Sequence, residues 1–197
     1  MDAIRTRRHE ATRREISDAA WTLAEEVGVA GVSLREVARA VGMKAPSLYT
    51  YFAGKDAIYD AMFAEGYRAL AARYDRWRRE LDRSDPVAAL TVSVEQFVAF
   101  CQESPARYQL MFTRAVPGWE PSAEAYEASQ QAYRQMAAAL EEMGVRGDDA
   151  LDLFTALTAG LAAQQMANDP EGDRWRRLAG DAVRMLTDHL DRTRRST

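Results

Sequence analysis

Apolar residues recur along this chain at intervals of three and four, the spacing of one buried face of an α-helix. Ile16, Ala19, Ala20, Leu23, Ala24 and Val27 form the first such stripe. It predicts a helix from about Arg8 to Val27, stopped by Gly28 and Gly31. Ser33-Leu34-Arg35-Glu36 then reads as a capping box, with Ser33 at the N-cap and Glu36 at N3. Leu34, Val37, Ala38 and Val41 make the buried face of this short second helix, which Gly42 ends. A third opens at Pro46, where the absent N–H is harmless, and closes near Phe52. A fourth is expected from Lys55 or Asp56 to about Leu81, and a fifth from Asp85-Pro86 to about Gln102. Pro105 starts a short sixth, ending before the loop from Val116 to Pro121. Ser122 caps a seventh reaching about Met143; an eighth spans Asp148 to Ala167 and a ninth about Asp173 to Arg192.

The pattern is that of an all-α protein of about nine helices. Its 197 residues suit a small N-terminal unit, 1–55, followed by a larger one, 56–197. Hydrophobic residues make up 47%, with six prolines and eleven glycines, which favours packed helices over disorder. The net charge of −4 does not suggest a polyanion partner, but its distribution does. Residues 1–55 carry nine Lys/Arg against seven Asp/Glu, and the remainder 17 against 23. A single cysteine, Cys101, allows no intramolecular disulfide and points to a reducing, cytoplasmic setting. No secretory leader is visible, and no apolar run approaches the ~20 residues of a membrane span.

The second and third helices, joined through Gly42-Met43-Lys44, have the spacing of a helix-turn-helix. At 100° per residue, Leu48 and Phe52 share the inward side of the third helix, and Thr50 points the opposite way, flanked by Pro46 and Ser47. Tyr49 and Tyr51 stand on the two shoulders, about 100° to either side. A crest of small polar groups can approach base edges in a major groove, and two phenols can donate to phosphates on its walls. Lys44 and Lys55 add positive charge at either end, and Arg35 and Arg39 lie on the exposed face of the second helix. Ser33 and the amide-rich N-terminus beside it suit a phosphate. An ordinary three-helix unit with an amphipathic surface shares part of this pattern.

From about Ala11 to Leu70 the chain resembles the DNA-binding region of the TetR/AcrR repressors. The residues responsible are Ala20, Gly28, Gly31, Val32, Ser33, Val37, Ala38, Val41, Gly42, Leu48, Tyr49, Phe52, Lys55 and Ala57, with the run Gly42–Lys55 the most specific. The resemblance covers about a third of the chain. It implies base contacts from Ala45, Pro46, Ser47 and Thr50, and phosphate contacts from Ser33, Arg35, Tyr49, Tyr51 and Lys55. Tyr51 departs from the histidine common at that position in the family.

The resemblance further implies an effector cavity between the fifth to eighth helices. Phe97, Phe100, Tyr108, Met111, Phe112, Trp119, Tyr126, Tyr133, Phe154, Leu157 and Leu161 supply apolar surface there, with Cys101, Tyr108, Gln164 and Gln165 as orienting polar groups. For any single one of them, simple core is the commoner role. By the same resemblance the eighth helix (Ala156, Ala159, Gly160, Ala163) and the ninth (Leu178, Ala182, Met185, Leu186, Leu190) pair with their twins in a homodimer, with an intrachain core as the alternative. No metal-ligand cluster, nucleophile–base signature or phosphate loop appears, so neither an enzyme nor a cofactor is expected. The expected protein is a dimeric repressor that leaves a double-stranded operator when a small hydrophobic effector binds. A module controlled by a protein partner, or constitutive, is the alternative; a helical small-molecule binder that no longer reads DNA is a third reading.

Overall fold

Nine α-helices account for most of the residues that the structure, a computed structural model, describes: 2–80, 82 and 84–195. They are α1 (Asp2–Val27), α2 (Leu34–Ala40), α3 (Ala45–Leu48), α4 (Lys55–Glu80), α5 (Pro86–Gln102), α6 (Pro105–Phe112), α7 (Ala123–Glu142), α8 (Asp148–Asn168) and α9 (Ala179–Arg195). The caps read from sequence at Ser33 and Ser122 are in place, and Asp85 and Ser104 cap the helices that open at Pro86 and Pro105. Ser33, Asp85 and Ser104 accept the backbone N–H three residues on, from Glu36, Ala88 and Arg107, at 3.0–3.3 Å. Ser122 Oγ likewise accepts from Ala125 N.

Several boundaries differ from expectation, among them the end of the third helix, at Leu48 instead of near Phe52. The first helix starts at Asp2 instead of Arg8. The last begins with a 3₁₀ turn, Arg176–Leu178, and becomes α-helical only at Ala179, because the Trp175 and Arg176 amides donate to Gln165 Oε1 at 2.9 and 3.0 Å. The fourth ends at Glu80; Leu81, its expected end, lies outside the described residues.

Packing divides the chain into two units that interleave in sequence, where a single cut at 55/56 was expected. The first unit holds residues up to Arg68 together with Ser104–Gln130; the second holds Ala69–Glu103 and the residues from Gln131 on. In the first, Ile16, Ala20 and Ala24 of α1 close on Val37 and Ala38 of α2, on Leu48 and Phe52, and on Ile58 and Met62 of α4. Ala106 and Leu110 of α6 and Ala125 of α7 complete that core. Polar ties reinforce it. Glu65 accepts from Ser17 Oγ at 2.7 Å and Trp21 Nε1 at 3.3 Å, and Glu25 accepts from the Ser104 hydroxyl and the Ala106 amide at the start of α6. Gly66 leaves room for α6 against α4: a Cβ there would stand 2.5 Å from Met111 Sδ.

The second unit packs α5, α8 and α9 around Leu90, Val94, Phe154, Val183 and Leu186, with Leu140 and Val145 beside them. No helix among the described residues is long and apolar enough to cross a membrane.

Candidate functional site

The helix-turn-helix is built by short local bonds. Val41 ends α2, and Gly42 takes φ 69°, a left-handed conformation that only glycine adopts cheaply. The Met43 amide then donates back to the Ala38 carbonyl at 2.8 Å, reversing the chain into α3. Four residues of α3 are α-helical; beyond them Tyr51 N and Phe52 N still donate to the Leu48 carbonyl, at 2.9 and 3.0 Å. Leu48 (0% exposed) and Phe52 (2%) anchor this segment in the core. Pro46, Ser47 and Thr50 form an exposed ridge, and Tyr49 is 57% exposed on one shoulder. Arg35 and Lys44 are exposed and Ala45 is half-buried at the ridge's foot.

Three of the expected contact residues also have intramolecular partners. Ser33 Oγ lies 2.6 Å from Glu36 Oε2 and donates to it while capping α2. Lys55 Nζ donates to the Ala30 carbonyl at 3.1 Å and lies 5.2 Å from the centre of the Tyr59 ring. Tyr51 is half-buried beneath α1: its ring stacks on His9 with centroids 4.9 Å apart, and its carbonyl accepts from Arg13 Nη1. Arg13 lies over the Phe52 ring at 4.1 Å, and His9 Nε2 stands 3.5 Å from the Thr50 carbonyl oxygen. Sequence reading assigned neither His9 nor Arg13 a role. The available signal was their register: they continue the inward stripe Ile16, Ala20, Ala24 by steps of three and four.

A cleft of about 1100 Å³ opens in the same unit, between the first half of α4, α6, the 113–121 segment and the start of α7. Phe63, Tyr67, Met111, Phe112, Trp119 and Tyr126 contribute its apolar surface, and Asp56, Thr113, Arg114 and Glu120 its polar lining. Trp119 packs against Tyr59 and Phe63, with ring centroids 5.6 and 5.8 Å away, and its buried indole N–H meets no acceptor. The Tyr67 hydroxyl donates to the Met111 carbonyl at 3.1 Å.

A model of the bacterial regulatory proteins of the tetR family matches residues 16–62, and a model of the tetracyclin-repressor-like C-terminal domain matches residues 90–168. Together they cover more than half of the sequence. The chain belongs to the TetR family.

Among curated relatives of this TetR-family chain, HTH-type transcriptional regulator Rv1816 of Mycobacterium tuberculosis is 33% identical over 95 residues, 47% of this chain. That match spans 39% of the relative's own length. Among solved structures, FadR of Bacillus subtilis in complex with stearoyl-CoA has a TM-score of 0.65 at 15% identity, covering 88% of this chain and 96% of that one. RolR in complex with resorcinol has a TM-score of 0.60 at 17% identity, covering 91% and 89%. At these identities the two structures establish the fold shared with this TetR-family chain.

Of the expected effector residues, Met111, Phe112, Trp119 and Tyr126 meet at the cleft, with Tyr108 behind Phe112 at a centroid distance of 6.0 Å. The others lie in the second unit. Phe100, Cys101 and Phe154 are buried, Phe97, Leu157 and Leu161 are half-buried, and Tyr133 is exposed. Gln164 is exposed and its Oε1 accepts from Asn168 at 2.8 Å. Gln165, expected to orient an effector, is fully buried and tied to the loop before α9: its Oε1 accepts two amides and its Nε2 donates to the Asp169 carbonyl. On the same unit, Ala156, Ala159, Gly160 and Ala163 of α8 are exposed, as is Met185 of α9, whereas Leu186 is buried and Leu178, Ala182 and Leu190 are half-buried.

Proposed function

We propose that the chain acts as a homodimeric transcriptional repressor that reads a double-stranded operator through α3 and is released by a small hydrophobic effector. The observation that carries the reading is the sorting of one short segment: Leu48 and Phe52 locked in the core, with Pro46, Ser47 and Thr50 left as a slim exposed ridge. A bulky ridge would hold the helix out of the groove; this one brings backbone and hydroxyls close to base edges. Ala45, Pro46, Ser47 and Thr50 are assigned to bases, and Ser33, Arg35, Lys44, Tyr49, Tyr51 and Lys55 to phosphates. The exposed small-residue face of α8 and the exposed Met185 of α9 are assigned to pairing with a second copy, where small side chains permit close helix contact. Two recognition helices then address half-sites about 34–36 Å apart, or farther for longer operators.

The effector is assigned to the cleft beside α4. FadR and RolR were solved with stearoyl-CoA and resorcinol, one ligand bearing a long acyl chain and one a flat aromatic. The aromatic walls of the cleft suit the second kind of shape best. The cleft's walls are tied to the DNA-reading helices: Glu25 of α1 holds the start of α6, and Asp60 of α4 accepts from the Ser122 amide at 3.1 Å. A ligand that fits only when the 113–121 segment moves therefore favours a second arrangement of α1 and α4 around α3. It acts as a switch only by binding that arrangement more tightly.

The test is binding of the dimer to the DNA upstream of its own gene across a salt series, with and without flat aromatic compounds, while Trp119 fluorescence is followed. Salt-sensitive binding, lost on adding a compound that alters Trp119 emission, is the expected result. Compounds that free the DNA equally well from a Trp119→Ala, Met111→Ala variant would remove the effector from this cleft.

A further inference from the structure

The inward stripe of α1 changes chemistry halfway along the helix. From Ala24 back to Ile16 it is apolar and buried in the first unit's core. At the next turns in the N-terminal direction, by steps of three and four, it becomes Arg13, His9 and Arg5. The change falls where α1 leaves the core and passes the end of the α3 segment. Arg13 donates to the Tyr51 carbonyl and covers the Phe52 ring, and His9 stacks on the Tyr51 ring beside the Thr50 carbonyl. The Tyr51 carbonyl ends a helical segment, where the Arg13 cation is favourable. The Tyr51 ring is thus held by the His9 stack, and the Tyr51 backbone by Arg13. Arg5 stands one turn farther out, about 6 Å along the axis, and is exposed.

We infer that the N-terminal half of α1 is a working part of the DNA interface: His9 and Arg13 are positioning residues that set the Tyr51 phenol against a phosphate, and Arg5 binds a neighbouring phosphate itself. The partner chemistry is the sugar–phosphate backbone of duplex DNA, and the contribution is independent of sequence. This inference rests on the DNA-binding reading above and adds a third element to it. The inward stripe, now basic, runs about three turns past Ile16, and its outermost member, Arg5, lies beyond the residues that pack on the recognition segment. Two of the three basic groups on that stripe engage the recognition segment, and the third stands clear of it with its charge in solvent.

The experiment measures the affinity of the dimer of this 197-residue chain for a labelled mixed-sequence duplex over a range of salt concentrations. Parent, Arg5→Ala, His9→Ala, His9→Phe, Tyr51→Ala and the His9→Ala, Tyr51→Ala pair are compared, with a thermal melt on each. Arg5→Ala is expected to melt like the parent yet lower the slope of log K against log salt by about one. His9→Ala is expected to weaken binding about three- to tenfold, His9→Phe to recover most of that by keeping the stack, and His9→Ala to add little once Tyr51 is already alanine. A parent-like salt slope in Arg5→Ala would overturn the phosphate assignment. An equal loss from His9→Ala with and without Tyr51 would overturn the positioning role. Both results leave DNA binding by α3 standing, whereas a parent protein that binds no duplex at any salt removes that reading and this one with it.

Discussion

The ridge of α3 separates two kinds of contact that a single substitution can tell apart. Tyr49 is exposed on the shoulder, so its hydroxyl has nothing to do in the folded protomer that a phenyl ring could not. Tyr49→Phe is expected to weaken binding to every duplex about three- to tenfold, the net worth of one hydrogen bond in water, with no change in melting temperature. Substitutions at Ser47 and Thr50 are expected to change which duplex is preferred, because the proposed docking sets them against base edges; a selection from a random pool, repeated with each variant, reads this out. Preferences identical to the parent's across several such variants would count against the ridge. Lys55 serves two ends at once. Its bond to the Ala30 carbonyl belongs to the fold, so Lys55→Ala is expected to lower both the salt slope, by about one, and the melting temperature. The sorting of Leu48, Phe52, Ser47 and Thr50 was legible from 3.6-residue periodicity alone, since each orientation depends only on neighbours within two turns. The second partner of Lys55 was not legible. Ala30 is 25 residues away in sequence and offers a carbonyl, which leaves no mark in composition.

Among the elements, local chemistry and long-range pairing differ in how far they can be read. Helix starts at Leu34, Pro86, Pro105 and Ala123 follow from a Ser or Asp that accepts an amide three residues on, a signal contained in four residues. The docking of α6 on the DNA-reading unit depends instead on Glu25 meeting Ser104 and Ala106 across some eighty residues, and on Gly66 admitting Met111. Nothing in the spacing of either segment announces the other. Gly66→Ala is therefore expected to displace Met111, a flexible side chain, lowering stability by about 1 kcal/mol while reducing affinity for cleft ligands far more. Gln165 illustrates the same limit: a glutamine on a largely apolar helix reads as a ligand contact, and only the folded loop reveals three backbone partners. Gln165→Leu would strand those groups. A loss of about 2–4 kcal/mol in denaturant unfolding, located in the second unit, is the expected result, and an unchanged midpoint would show that the loop does not need them.

At the scale of the whole molecule, the protomer leaves a face of small residues on α8 open to solvent. An added Cβ at Gly160 meets nothing within 4 Å, so a bulky residue there is tolerated by the protomer on its own. Gly160→Gln is expected to fold normally yet shift the protein from dimer to monomer in sedimentation, and to weaken operator binding as the two half-sites lose their coupling. A dimer unaffected by that change would move the pairing surface elsewhere. The central claim is that α3 of such a dimer reads duplex DNA. The most direct measurement is the affinity for a duplex as salt is raised from very low ionic strength. A steep, linear fall of log K with log salt, shifted to weaker binding in Tyr49→Phe and flattened in Arg5→Ala, is the predicted result. Failure to shift any duplex, specific or random, at the lowest salt would contradict the account.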